Sequence, residues 1–167
     1  MTGAAVETPR LQSREDAMAE RTERDVLHHL IDRCRDGERG FRAAADHVGD
    51  PALKSLFTEL AAQRKRFAEE LLPHLQRLGG MPDAEGTGAG ALHRTWMVLK
   101  GLVPGDHDHH ILAEAQRGEH AAWRAYEDAL DGMLPPTVSE IVEAQRDAIR
   151  KATDRIHAID VASTIAD

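Results

Sequence analysis

Aromatic side chains are scarce in this chain: one tyrosine, two tryptophans and three phenylalanines make up only 4% of its 167 residues. β-Branched residues are also sparse, whereas Ala, Leu, Glu, Arg and Gln dominate, a balance that disfavours sheet and favours helix. The lone cysteine, Cys34, cannot close an internal disulfide. No stretch reaches the roughly 18 apolar residues of a membrane-spanning helix, and the first 25 residues lack the apolar run of a secretory signal. The expectation is a cytoplasmic protein with no membrane insertion. Basic residues are in deficit, 21 Lys and Arg against 29 Asp and Glu, giving a net charge of -8 that argues against gripping nucleic acid phosphates. Also missing are a Gly-rich phosphate loop after a strand, a Gly-x-Ser-x-Gly elbow, a Cys-x-x-Cys pair and any Glu-x-x-His.

What remains is helical periodicity. Residues 1–21 carry Pro9 and a mixed-charge run with few large apolar groups, and read as a flexible N-terminal tail. The rest, residues 22–162, reads as one domain of four helices. Helix A begins near Thr22, with Asp25 at capping-box spacing, and buries Val26, Leu30, Cys34, Gly37, Phe41, Ala44 or Ala45, and Val48. Asp50-Pro51 starts helix B, which buries Leu53, Phe57, Leu60, Phe67, Leu71, Leu75 and Leu78 until Gly79-Gly80 ends it. Pro73 should kink its last turns.

The segment from Gly80 to Asp108 is rich in Gly, Asp and Pro but encloses a short helical stretch over Ala91–Leu99, so the B-to-C connection is a long crossover. Helix C runs from about Asp108 to Asp131 and buries Ile111, Ala115, Ala122, Tyr126, Ala129 and Met133. Helix D opens at Pro135-Pro136-Thr137, with Thr137 and Glu140 at capping-box spacing, and continues through Ile141, Val142, Ala148, Ile149, Ala152, Ile156 and Ile159. Helices of about 24 to 28 residues would be roughly 36 to 42 Å long and match in length. Short A–B and C–D connections make antiparallel hairpins, while the long B–C connection lets B run parallel to C, which is ferritin-like connectivity.

A polar residue interrupts each apolar stripe near its middle: Glu38, Gln63, Glu119 and Gln145. In matched helices these share one level, so they predict a central polar layer, which is costly to bury unless hydrogen-bonded, paired or metal-bound.

Four strings carry a more specific signal: Cys34-Arg35-Asp36-Gly37-Glu38-Arg39-Gly40-Phe41, Gln63-Arg64-Lys65-Arg66-Phe67, Gly90-Ala91-Leu92-His93-Arg94-Thr95-Trp96, and Gln116-Arg117-Gly118-Glu119. Together they resemble a bacterial four-helix-bundle family of unknown function in the ferritin-like superfamily. The resemblance implies an all-α, ferritin-like four-helix bundle with a long helical B-to-C crossover, and no established activity. The family's company suggests a stress association. Members of the wider superfamily hold two metals with a Glu on two helices and Glu-x-x-His on the other two. Glu38 and Glu119 match the single-Glu positions; helices B and D offer Gln63 and Gln145 instead.

Two readings of the layer follow. In one, it is a hydrogen-bond network that fixes helix register, with Arg64 as charge partner, in a non-enzymatic structural or interaction protein without cofactor. In the other, it is a degenerate carboxylate site for Fe, Mn or Zn, using Glu38 and Glu119 with His93 as nitrogen donor, in a metal-binding protein or oxidase. His120 points about 100° away from Glu119 round the helix. His107, His109 and His110 beside Asp108, and His28-His29, read as solvated helix ends, and Arg64-Lys65-Arg66 as a solvated face of helix B. Cys34 reads as a packed small hydrophobe. Ala121, Ala122 and Ala125 allow a homo-oligomer, and no protein partner is specified.

Overall fold

The computed structural model describes residues 9–82 and 107–166. Four helices make up the described residues: α1 (Pro9–His47), α2 (Pro51–Arg77), α3 (His107–Leu130) and α4 (Pro136–Ala166). None of them is long and apolar enough to cross a membrane. The expected helix over Ala91–Leu99, and His93 with it, lies outside the described residues.

Local chemistry sets most of the helix ends. Asp50 stands in extended backbone and its Oδ1 accepts from the N–H groups of Ala52 (2.6 Å) and Leu53 (3.2 Å), while Pro51 fills the first helical position. At the other end of α2, Gly79 takes φ +70°, a backbone that L side chains adopt only with strain. The Gly79 N–H then reaches the Gln76 carbonyl and the Gly80 N–H reaches that of Leu75, each at 3.0 Å, which closes a Schellman motif. Pro73 lies inside α2, which continues to Arg77.

Two starts differ from expectation. Helix α1 begins at Pro9 rather than Thr22, and the Thr22 hydroxyl donates to the Met18 carbonyl one turn back at 3.0 Å instead of capping. Residues 10–21 are rich in Arg, Ala, Glu, Leu, Gln and Met, all good helix formers, which favours helix although the sequence there carries no apolar stripe, and Met18 is 71% exposed. Helix α4 begins at Pro136, and the Pro135 carbonyl receives the Val138 and Ser139 N–H groups at 2.9 Å. Thr137 therefore sits inside the first turn and its side chain is no cap.

The core falls into two clusters that fix the directions of the helices. One joins the middle of α1 (Leu27, Leu30, Ile31, Cys34) to the last half of α2 (Phe67, Leu71, Leu75), the last half of α3 (Tyr126, Ala129) and the first half of α4 (Val138, Val142, Ile149). The other joins the last half of α1 (Phe41, Ala44, Val48), the first halves of α2 (Leu53, Phe57, Leu60) and α3 (Ile111, Leu112), and the end of α4 (Ala152, Ile156). Helices α2 and α3 thus run in the same direction, and both are antiparallel to α1 and α4. At the end where α3 starts, the Asp108 carboxylate accepts from the backbone N–H groups of Gly49 (2.9 Å) and Asp50 (3.0 Å), tying α3 to the α1–α2 turn.

Most stripe residues are buried; Leu78, Ala115, Ala122, Ile141, Ala148 and Ile159 are half-buried at the cluster edges, and two further positions are corrected. Leu27 is fully buried and Val26 only half-buried, because the stripe Leu27, Leu30, Ile31, Cys34 puts Val26 on its flank. Met133 is 88% exposed, since α3 ends at Leu130 and Met133 lies in the following turn.

Candidate functional site

Between the two apolar clusters lies a buried pair of opposite charges, which is costly to desolvate. Arg64 on α2 and Glu119 on α3 are 1% and 2% exposed, and Arg64 Nη2 donates to both oxygens of Glu119 at 2.5 Å each. The guanidinium carbon also lies 5.8 Å from the centroid of the Phe41 ring and 5.4 Å from that of Phe67, so two aromatic faces help to hold the cation. Arg64 Nε and Nη1 are enclosed and find no hydrogen-bond partner among the described residues. Burial pushes the Glu119 carboxyl above its ordinary range, and the guanidinium beside it draws it part of the way back.

Glycine makes room for this pair. A Cβ built on Gly37 of α1 would lie 3.2 Å from Arg64 Cγ and 3.3 Å from Cδ, so the arginine stem crosses α1 where that helix carries no side chain. A mid-helix glycine costs roughly 1 kcal/mol relative to alanine; the inserted arginine is what it permits.

A second polar chain runs through the same region. The Tyr126 hydroxyl donates to Gln145 Oε1 at 2.7 Å, and with its proton committed there, its oxygen accepts from the Cys34 thiol at 3.0 Å. Gln145 Nε2 donates onward to Glu70 Oε2 (2.7 Å) and the Phe67 carbonyl (3.3 Å). Burial raises the Cys34 thiol to about 11, and it also holds the Tyr126 phenol well above its usual range. Both groups stay neutral, and an amide is no base, so the chain orders side chains without activating a nucleophile.

The four residues expected in one layer are thus distributed differently. Glu119 meets Arg64, while Gln145 meets Phe67 and Glu70, about one turn further along α2. Gln63 is half-buried, and its Oε1 is enclosed without a hydrogen-bond partner among the described residues. Glu38 turns to Arg42 on its own helix at 2.7 Å and stays outside the Arg64–Glu119 pair. The expectation that Arg64 belongs to a solvated face is corrected: Lys65 and Arg66 are exposed, and Arg64 points inward. Sequence reading missed Tyr126, Cys34 and Glu70 as polar partners. Two of them carried a signal, Tyr126 lying seven residues from Glu119 and Glu70 seven from Gln63, positions that share a helix face.

The candidate histidines among the described residues are separate from this region. His109 Nδ1 is 3.0 Å from Asp160 Oδ1 on α4, linking helix ends, and His120 is exposed beside Trp123. His28, expected at the surface, is half-buried and is paired at 3.3 Å with the buried Asp32. Among the described residues no group of three or more His, Cys, Asp and Glu side chains is disposed to hold a metal ion. Of the alanines expected to allow self-association, Ala125 is 8% exposed and belongs to the core cluster, so it offers little surface for a flat helix contact.

A family model described as "Domain of unknown function (DUF2383)" matches residues 22–132. No curated protein matches the chain.

Proposed function

The chain belongs to this family of unknown function, and from that premise we propose that it is a non-enzymatic bundle of ferritin-like connectivity with a structural or interaction role. In this reading the centre of the bundle is occupied by an internal ion pair in place of a metal. The observation that carries it is the inward Arg64, whose guanidinium is bonded to both oxygens of Glu119. A cation seeking that carboxylate would meet a fixed positive charge at contact distance, and like charges in a weakly screened interior repel strongly. Glu38, the other carboxylate that a degenerate metal site needs, is already paired with Arg42. The parallel course of α2 and α3 supports the ferritin-like connectivity.

Metal content decides the matter against the alternative of a metal-binding protein or oxidase. Elemental mass spectrometry of protein purified without added metal should find substoichiometric Fe, Mn and Zn, unchanged by Glu119→Gln. One equivalent of any of the three in the native protein, lost in that variant, would overturn the proposal and promote the carboxylate site.

A further inference from the structure

At the end of the bundle where α1 outruns α2, a groove of about 370 Å³ opens between α1 and α3, within the range of small-ligand sites. Its lining includes Ala125 and Ala129, one turn apart on α3, and Val26 and Leu30 on α1, with Val26 the most exposed of the four. The floor is therefore apolar. The rims are acidic: Asp25 stands on the α1 bank and Asp128 on the α3 bank, and both are exposed. Thr22 and His29 complete the α1 bank, and because the Thr22 hydroxyl proton goes to the Met18 carbonyl, its oxygen is left as an acceptor.

This combination selects a ligand class. An anion is repelled by both banks and by the net charge of -8. A neutral apolar molecule would draw water away from the carboxylates without replacing it. A bare metal ion has no use for an apolar floor, and no set of three donors is disposed to hold one among the described residues. A chain of methylenes ending in ammonium groups satisfies floor and rims together, its stem along the apolar lining beside Val26 and its charges at the two aspartates. Arg24 Nε is 3.8 Å from Asp25 Oδ1, but with both groups exposed that pair is weak and yields to an ammonium. We propose that the α1–α3 groove binds a linear aliphatic diamine or polyamine.

The test is titration of the intact chain with hexamethylenediamine, followed by calorimetry and by amide chemical shifts, with hexanediol as the neutral probe of equal stem. Saturable binding of the diamine should shift the amides of Val26–Leu30 and Ala125–Ala129, and the diol should leave them in place. Asp128→Asn and Asp25→Asn should each weaken binding by about tenfold. Asp147→Asn, the same charge change at an exposed site on α4, should leave it unaltered; circular dichroism verifies that each variant is folded. Equal weakening by Asp128→Asn and Asp147→Asn would reduce the effect to general attraction by net charge and overturn the proposal. Equal affinity for the diol, or no saturable binding because a second copy or another segment fills the groove, would overturn it as well.

Discussion

Replacing Arg64 by methionine tests the central ion pair most directly, because methionine suits the apolar space between Phe41 and Phe67 and the only thing removed is the cation. The variant leaves the Glu119 carboxylate 2% exposed and without the two 2.5 Å bonds it receives from Arg64. Breaking a buried pair in this way costs about 3 to 5 kcal/mol at neutral pH, a large share of the roughly 5 to 15 kcal/mol that holds a domain together. In urea unfolding followed by helical circular dichroism, the midpoint should fall by on the order of 1 to 3 M. The pH dependence has a definite sign. Burial already raises the Glu119 carboxyl and Arg64 opposes that rise, so removing Arg64 raises it further. A carboxyl raised above its unfolded value contributes stability that is complete below that value and disappears as pH climbs through the folded one. The deficit of Arg64→Met should therefore be small in acid and grow toward neutrality. Adding Glu119→Leu should erase it, because a pair exchanged for apolar groups is neutral or gains about 1 to 4 kcal/mol. A neutral-pH loss under about 1 kcal/mol, or a double variant no better than Arg64→Met alone, would refute the reasoning.

Two mid-helix glycines, Gly37 and Gly118, give opposite signs. Gly37→Ala should lose about 1 to 3 kcal/mol because its Cβ meets the pinned Arg64 stem at 3.2 Å, whereas Gly118→Ala, with nothing within 4 Å, should gain about 0.5 to 1 kcal/mol; equal effects in urea unfolding would contradict the role given to Gly37. Tyr126→Phe deprives the Cys34 thiol and Gln145 Oε1 of their shared partner, and should lower stability by about 1 to 3 kcal/mol in the same assay, an unaltered midpoint counting against the chain of bonds. Cys34, buried and raised to about 11, should react with a thiol reagent at mildly alkaline pH only as fast as the protein opens, and at full rate in urea. Native labelling as fast as that of a free thiol would show the site to be open.

Apolar periodicity by itself determined that the chain is helical. Leu53, Phe57, Leu60, Phe67 and Leu71 recur at a spacing that only a helix brings to one face, and all are buried in α2. Asp50-Pro51 and Gly79-Gly80 marked its ends because capping and positive φ are local properties, settled within a few residues. Periodicity carried less information at the start of α1: residues 10–21 show no apolar stripe in the sequence, yet the helix begins at Pro9.

The polar centre was legible as a set of positions and not as a set of partners. Glu119 and Gln145 lie on inward faces and are buried, as their places in the stripes required. Which charge would meet Glu119 depended on features far apart in sequence: the gap at Gly37 that admits an arginine stem, and the Phe41 and Phe67 rings that receive its head. Arg64 is one residue from Gln63, about 100° round the helix, and only the packing of α2 against α1 and α4 decided which of the two turned inward. Sequence fixes the spacing of side chains along each helix, whereas relative rotation and depth of the helices, set by how their side chains interlock, decide which polar groups come within bonding distance.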